Sequence, residues 1–148
     1  MKIIVFIFFS LISEILNAQE VKNTALVGTW KCSTYDITVR TYIEGETVCA
    51  NLLSFPCSHK IKKPLADHFD IHNPKKELRS RRMLNIMVLS KLVYEGNNKW
   101  IDGDVYVPAT GQFYNATLIL NTPTQLQIRG FIGFEFIGKS LIFNKINK

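Results

Sequence analysis

The sequence predicts an all-β domain closed into an antiparallel barrel, with one short helix in a long loop and a signal peptide in front. Three observations predict it. Apolar and polar residues alternate with period two in run after run beyond Gly28. Short turn signals separate the runs: Glu44-Gly45-Glu46, Glu95-Gly96-Asn97-Asn98, and Asn121 to Thr124. Gly130, Gly133 and Gly138 fall in the last runs, where glycine permits the sharp bending that closes a barrel rather than leaving a sandwich.

Met1 to Ala18, MKIIVFIFFSLISEILNA, places a lysine before an apolar run from Ile3 to Ile12 and ends on a small residue. That is the layout of a secretory signal peptide, and the run is short for a membrane span. Leu16 and Glu14 depart from the ideal cleavage pattern, so a retained anchor is the alternative. The expected mature domain runs from Gln19 to Lys148, secreted or periplasmic. At 47% apolar residues the chain can supply one core.

Within the domain, Trp30 and Cys32 share one face of the first run. Ile37, Val39, Thr41 and Ile43 share a face of the second, and Val48, Ala50 and Leu52 a face of the third. Alternation stops from Pro56 to Arg82, a polar connection broken by Pro56, Pro64 and Pro74. Asn73-Pro74 is a helix start, since Asn caps free amides and proline suits the first helical position, so a turn or two of helix to about Arg81 is expected. Strands resume after Met83 with NIMVLSKLVY, KWIDGDVYV, FYNATLIL, QLQIRGFI, GFEFIG and KSLIFNKI.

Charge is uneven. Lys60 to Arg82 holds eight basic and three acidic residues, a surplus of five out of a formal net charge of +6. Long loops in compact domains are commonly functional or disordered, so this segment is either a solvated connection or an anion-facing surface. Arg79 and Arg81 diverge on the expected helix. One would pair with Asp70 or Glu77 and fix the loop, and the other would face the barrel mouth or an anionic surface, with Leu78 and Leu84 as apolar pegs. Nucleic acid is disfavoured, because only Phe69 supplies an aromatic within the segment. Cys32, Cys49 and Cys57 would meet an oxidising compartment, where Cys49 could pair with Cys57, or Cys32 with either.

These residues resemble a bacterial secreted family known as domain of unknown function 2147. The resemblance rests on Gly28-Thr29-Trp30, Asn73-Pro74, Leu78 to Arg81, and Trp100-x-x-Gly103-x-Val105-Tyr106-x-Pro108. It continues through Gly111-x-x-Tyr114, Leu126-x-Ile128-Arg129-Gly130 and Gly138, and so spans nearly the whole mature chain. It implies a small lipocalin-like barrel in a bacterial envelope and brings no catalytic activity. The first-strand Trp30 is similar to the lipocalin tryptophan that packs beneath a C-terminal cation at the closed end, a place Lys145 would take here. The chain departs from the family pattern at Glu44, where a cysteine is common, and at Ala50, Phe143 and Lys145. The family's pairing to Cys49 is therefore lost.

Chemistry-bearing clusters are sparse. Cys57, His59, His68 and His72 offer zinc-type ligands, but His68-x₃-His72 needs a helix and the segment reads as a turn, so metal binding is the minor reading. No nucleophile elbow occurs, no cofactor signature is present, and no motif specifies an oligomeric state. The favoured function is non-catalytic binding of a small apolar or lipid-like ligand inside the barrel. The candidate residues are Trp30, Arg79, Arg81, Tyr106, Tyr114 and Arg129, with Leu118 and Ile128 among the lining. Arg129 lies opposite Ile128 in parity and turns inward only if a bulge near Gly130 shifts the register. The alternative is an envelope-associated interaction protein with a filled barrel, presenting the basic segment to anionic lipid or a protein partner.

Overall fold

The structure is a computed structural model that describes residues 22–56 and 65–146. Eight strands follow one another in chain order: β1 Gly28–Cys32, β2 Thr38–Glu44, β3 Thr47–Ser54, β4 Met87–Gly96, β5 Lys99–Val107, β6 Gln112–Thr122, β7 Gln125–Phe131 and β8 Gly138–Ile146. Each pairs antiparallel with the next, and β8 returns to β1 with Trp30 opposite Lys145, closing the barrel. Closure leaves no sheet edge unpaired.

The alternation read from the sequence sets which side chains enter. Trp30, Val39, Val48, Ala50, Leu52, Leu118, Leu126 and Phe143 are buried in one cluster. The β4–β5 turn places Asn97 and Asn98 at φ 52° and 58°, the two left-handed residues that a tight two-residue hairpin demands. The segment GFEFIG is not a strand: Gly133 sits at φ 73°, and Glu135–Ile137 forms a 3-10 turn. The Glu135 side chain accepts a hydrogen bond from Thr117 at 3.1 Å and meets Lys99 Nζ at 3.2 Å, drawing this loop back over the outer face of β6.

One end is sealed. Residues 22–26 are helical, an element the alternation does not announce, and they lie across the barrel floor. Both tryptophans hold them: Trp30 Nε1 donates to Leu26 O at 2.8 Å, and Trp100 Nε1 donates to Asn23 Oδ1 at 2.7 Å. Thr41 Oγ1 also donates to Leu26 O. Lys145 Nζ stands 5.1 Å from the Trp30 ring and donates to Ala25 O at 3.2 Å, as the lipocalin resemblance implies. With Leu26, Trp30 and Trp100 fully buried and their polar atoms satisfied, this end is solid core.

Cys32 and Cys49 are both buried thiols that are not paired with each other, and pairing of either with Cys57 falls outside the described residues. They have opposite parity: Cys32 faces the core cluster, while Cys49 lies on the outer face with its Sγ 3.7 Å from Glu44 Oε2. Glu44 thus stands beside Cys49 where the family resemblance would put a cysteine. The signal peptide and the segment from Cys57 to Pro64 lie outside the described residues. Within the described residues, no helix is long and apolar enough to cross a membrane.

Candidate functional site

At the end opposite the helical turn, the barrel is not filled. A cavity of about 560 Å³ opens there, within the roughly 300–1,000 Å³ typical of small-molecule sites. Its wall is aliphatic and aromatic: Ile37 and Val39 from β2 and the segment before it, Leu52 and Phe55 around the end of β3, Leu89 from β4, and Leu141 and Phe143 from β8. Tyr106 and Tyr114 line it, as does Ile128. Leu118, expected in the lining, is instead packed in the core below, with no surface exposed.

The other nominated residues lie elsewhere. Trp30 is floor core and does not line the cavity. Arg129 faces outward, because the β7–β8 register runs without a shift from Gln125↔Asn144 to Phe131↔Gly138. Its guanidinium is committed to the outer loop, donating to Glu135 O at 2.6 Å, Ser140 Oγ at 2.9 Å and Phe136 O at 3.1 Å. Arg129 therefore braces the loop and does not reach the cavity.

Arg79 and Arg81 are part of a tether. Asp70 is 1% exposed and accepts from four donors. Tyr106 Oη donates to Oδ1 at 2.5 Å; Oδ2 takes Asn73 Nδ2 at 2.8 Å and Arg81 through Nε at 3.0 Å and a terminal nitrogen at 2.8 Å. A buried carboxylate is tolerable only with such satisfaction. Burial first, then the hydrogen bond to Asp70, pushes the Tyr106 hydroxyl up to about 12. The tyrosine thus joins two regions: its ring forms cavity wall and its hydroxyl anchors the connection between β3 and β4.

The expected helix from Pro74 to Arg81 shrinks to the 3-10 turn Lys76–Leu78. Asn73 Oδ1 accepts from the Lys75 amide at 2.9 Å, and Arg79 Nε takes the Asn73 carbonyl at 2.7 Å, removing the acceptor an α-helix would need. Gly111, at φ 71°, seats the same segment: a Cβ there would stand 1.8 Å from the His72 carbonyl oxygen. The apolar pegs are Met83 and Ile86, both buried, whereas Leu84 is exposed. Residues 70–73 make a turn closed by Asn73 N to Asp70 O at 3.0 Å, so His68 and His72 lack the helix that zinc ligation would require. Among the described residues no group of three His, Cys, Asp or Glu side chains is placed for a metal, and Cys57 and His59 lie outside them.

Sequence reasoning passed over most of the cavity wall, including Tyr35 and Lys139 at its rim. Lys139 shares the parity of Leu141 and Phe143, which turns it inward at the rim, where it lines the cavity. The alternation Lys139-x-Leu141-x-Phe143 carried that signal.

A closed eight-stranded antiparallel barrel, sealed at one end under a first-strand tryptophan and hollow at the other, defines a lipocalin-like fold. The chain is similar in structure to protein HP1028 from the human pathogen Helicobacter pylori, described as belonging to the lipocalin family. The TM-score is 0.69 at 20% identity, over 83% of this chain and 84% of that one. The chain belongs to the family of uncharacterised proteins conserved in bacteria designated DUF2147, whose profile matches residues 28–145. No individually curated protein matches it.

Proposed function

We propose that the protein is a non-catalytic carrier of a small apolar or lipid-like molecule, acting outside the cytoplasm of a bacterium. The observation that carries this reading is the open cavity of about 560 Å³ with its aliphatic and aromatic wall. A barrel meant only as a scaffold gains stability by filling such a space, since interiors pack to near-crystalline density. A ligand burying about 250 Å² of apolar surface there would gain on the order of 6 kcal/mol before ordering costs. The alternative, a filled barrel presenting only its basic segment, loses its premise. A contribution from anionic surfaces to membrane encounter is supported by the exposure of Lys75 and Lys76.

Mass spectrometry of lipid extracted from the native protein tests the carrier reading directly. Protein stripped of lipid should bind an apolar fluorescent probe saturably at one site per chain. Leu141→Trp, which narrows the cavity, should weaken binding while leaving the barrel folded, and Arg129→Ala should leave binding unchanged. Absence of saturable binding across fatty acids, phospholipids and aromatic probes would overturn the reading.

A further inference from the structure

We infer that the cavity selects single-chain amphiphiles with an anionic head, and that Lys139 and Tyr35 hold that head at the rim; this rests on the carrier reading. Lys139 is the only charged residue among those described that line the cavity. Its Nζ donates to Tyr35 Oη at 3.1 Å and stands 5.2 Å from the Tyr35 ring. Tyr35 comes from the β1–β2 connection and lines the same rim. Among the described residues no carboxylate lies within ion-pair distance of Lys139, in contrast to Lys31, Lys91 and Lys99.

The remaining hydrogen-bond capacity faces one way. An ammonium has three N–H donors, and one is spent on Tyr35. Because Tyr35 Oη is the acceptor in that bond, its own O–H proton is left to donate. Two donor groups, one of them charged, therefore converge at the mouth of an otherwise apolar space. Opposite Lys139 across the β7–β8 pair stands Gly130, which also lines the cavity and contributes no side chain to the space between.

Two other described cations near this end are committed. Arg129 is bound to the outer loop, and Arg81 is bound to Asp70. A carboxylate head at the rim would thus meet Lys139 and the Tyr35 hydroxyl while its chain runs down along Leu141 and Phe143. A neutral head would accept from the ammonium but forgo the attraction between opposite charges, and a cationic head would meet the ammonium directly. Lys139 is solvent-exposed, so the preference is modest.

The test titrates lipid-stripped protein by calorimetry with dodecanoate, dodecanol and dodecyltrimethylammonium, all as monomers. The unaltered protein should bind dodecanoate about fivefold to tenfold more tightly than dodecanol, and the cationic amphiphile most weakly. Lys139→Gln should level dodecanoate with dodecanol while leaving dodecanol affinity unchanged, which also shows that the variant is folded. Lys139→Arg should restore the preference, and Tyr35→Phe should lower it about twofold. Equal binding of dodecanoate and dodecanol by the unaltered protein, or a preference that survives Lys139→Gln, overturns the selectivity and leaves the carrier reading standing. Failure of every amphiphile to bind also overturns the selectivity, and the carrier reading falls with it only when phospholipids and the apolar fluorescent probe fail to bind as well.

Discussion

The two ends of this barrel use the same kind of residue for opposite purposes. At the floor, Trp30 and Trp100 are fully buried, and each indole N–H is spent on the helical turn over residues 22–26. At the mouth, Tyr35 and Tyr114 keep part of their surface open to water, and their rings line empty space. Tyr106 is the exception there, since its hydroxyl is buried against Asp70. An aromatic with its polar atom satisfied inside becomes structure, and one with its ring facing a void becomes a surface for something else. The helical turn accounts for the difference. It covers the floor, while the described part of the connection at the other end is tied down beside the opening at Asp70.

This contrast makes graded predictions. Trp30→Ala removes floor core together with its bonds to Leu26 and Thr41, and should cost about 3–5 kcal/mol of unfolding free energy in urea. Leu141→Ala, facing an existing cavity, should cost under about 2 kcal/mol, because it creates little new void. If the two variants cost the same, the ends are not energetically distinct.

Asp70→Ala comes next. It strands the buried Tyr106 hydroxyl and the Arg81 guanidinium, and should cost about 2–3 kcal/mol, discounted because the Arg81 side chain is a third exposed. Hydrogen exchange should quicken in residues 68–83 and leave β1 and β8 protected. Uniform loss of protection would mean that the tether supports the whole barrel.

The Tyr106 hydroxyl gives a pH signature. Its pKa is raised from the usual 10.0 to about 12, so its contribution is fully present below pH 10 and is lost as pH rises through about 12. A phenolate absorbance titration should show a late-ionising tyrosine that Tyr106→Phe removes. The smallest effect is at Lys145, where Lys145→Ala should cost about 0.5–1 kcal/mol in the same urea assay, since this cation–π contact is partly exposed. A cost above that of Asp70→Ala would place the lysine at the centre of the floor.

Alternation along each strand determined the barrel and much of its interior from sequence alone, because a strand's side-chain parity is fixed by its pleat. It placed Trp30, Val39, Ala50 and Leu52 inside, put Arg129 outside, and carried the information that Lys139 faces inward. What it could not decide is depth along the barrel axis. Leu118 and Ile128 are cross-strand neighbours of the same parity, yet one is solid core and the other is cavity wall. Which level is filled depends on the helical turn over residues 22–26 packing across the floor and on the tether held at Asp70. Those contacts join residues far apart in the chain: Asn23 to Trp100, Asp70 to Tyr106, and Lys145 to Ala25. No local periodicity encodes such pairings, so the residues at the mouth became a site only when the chain closed around them.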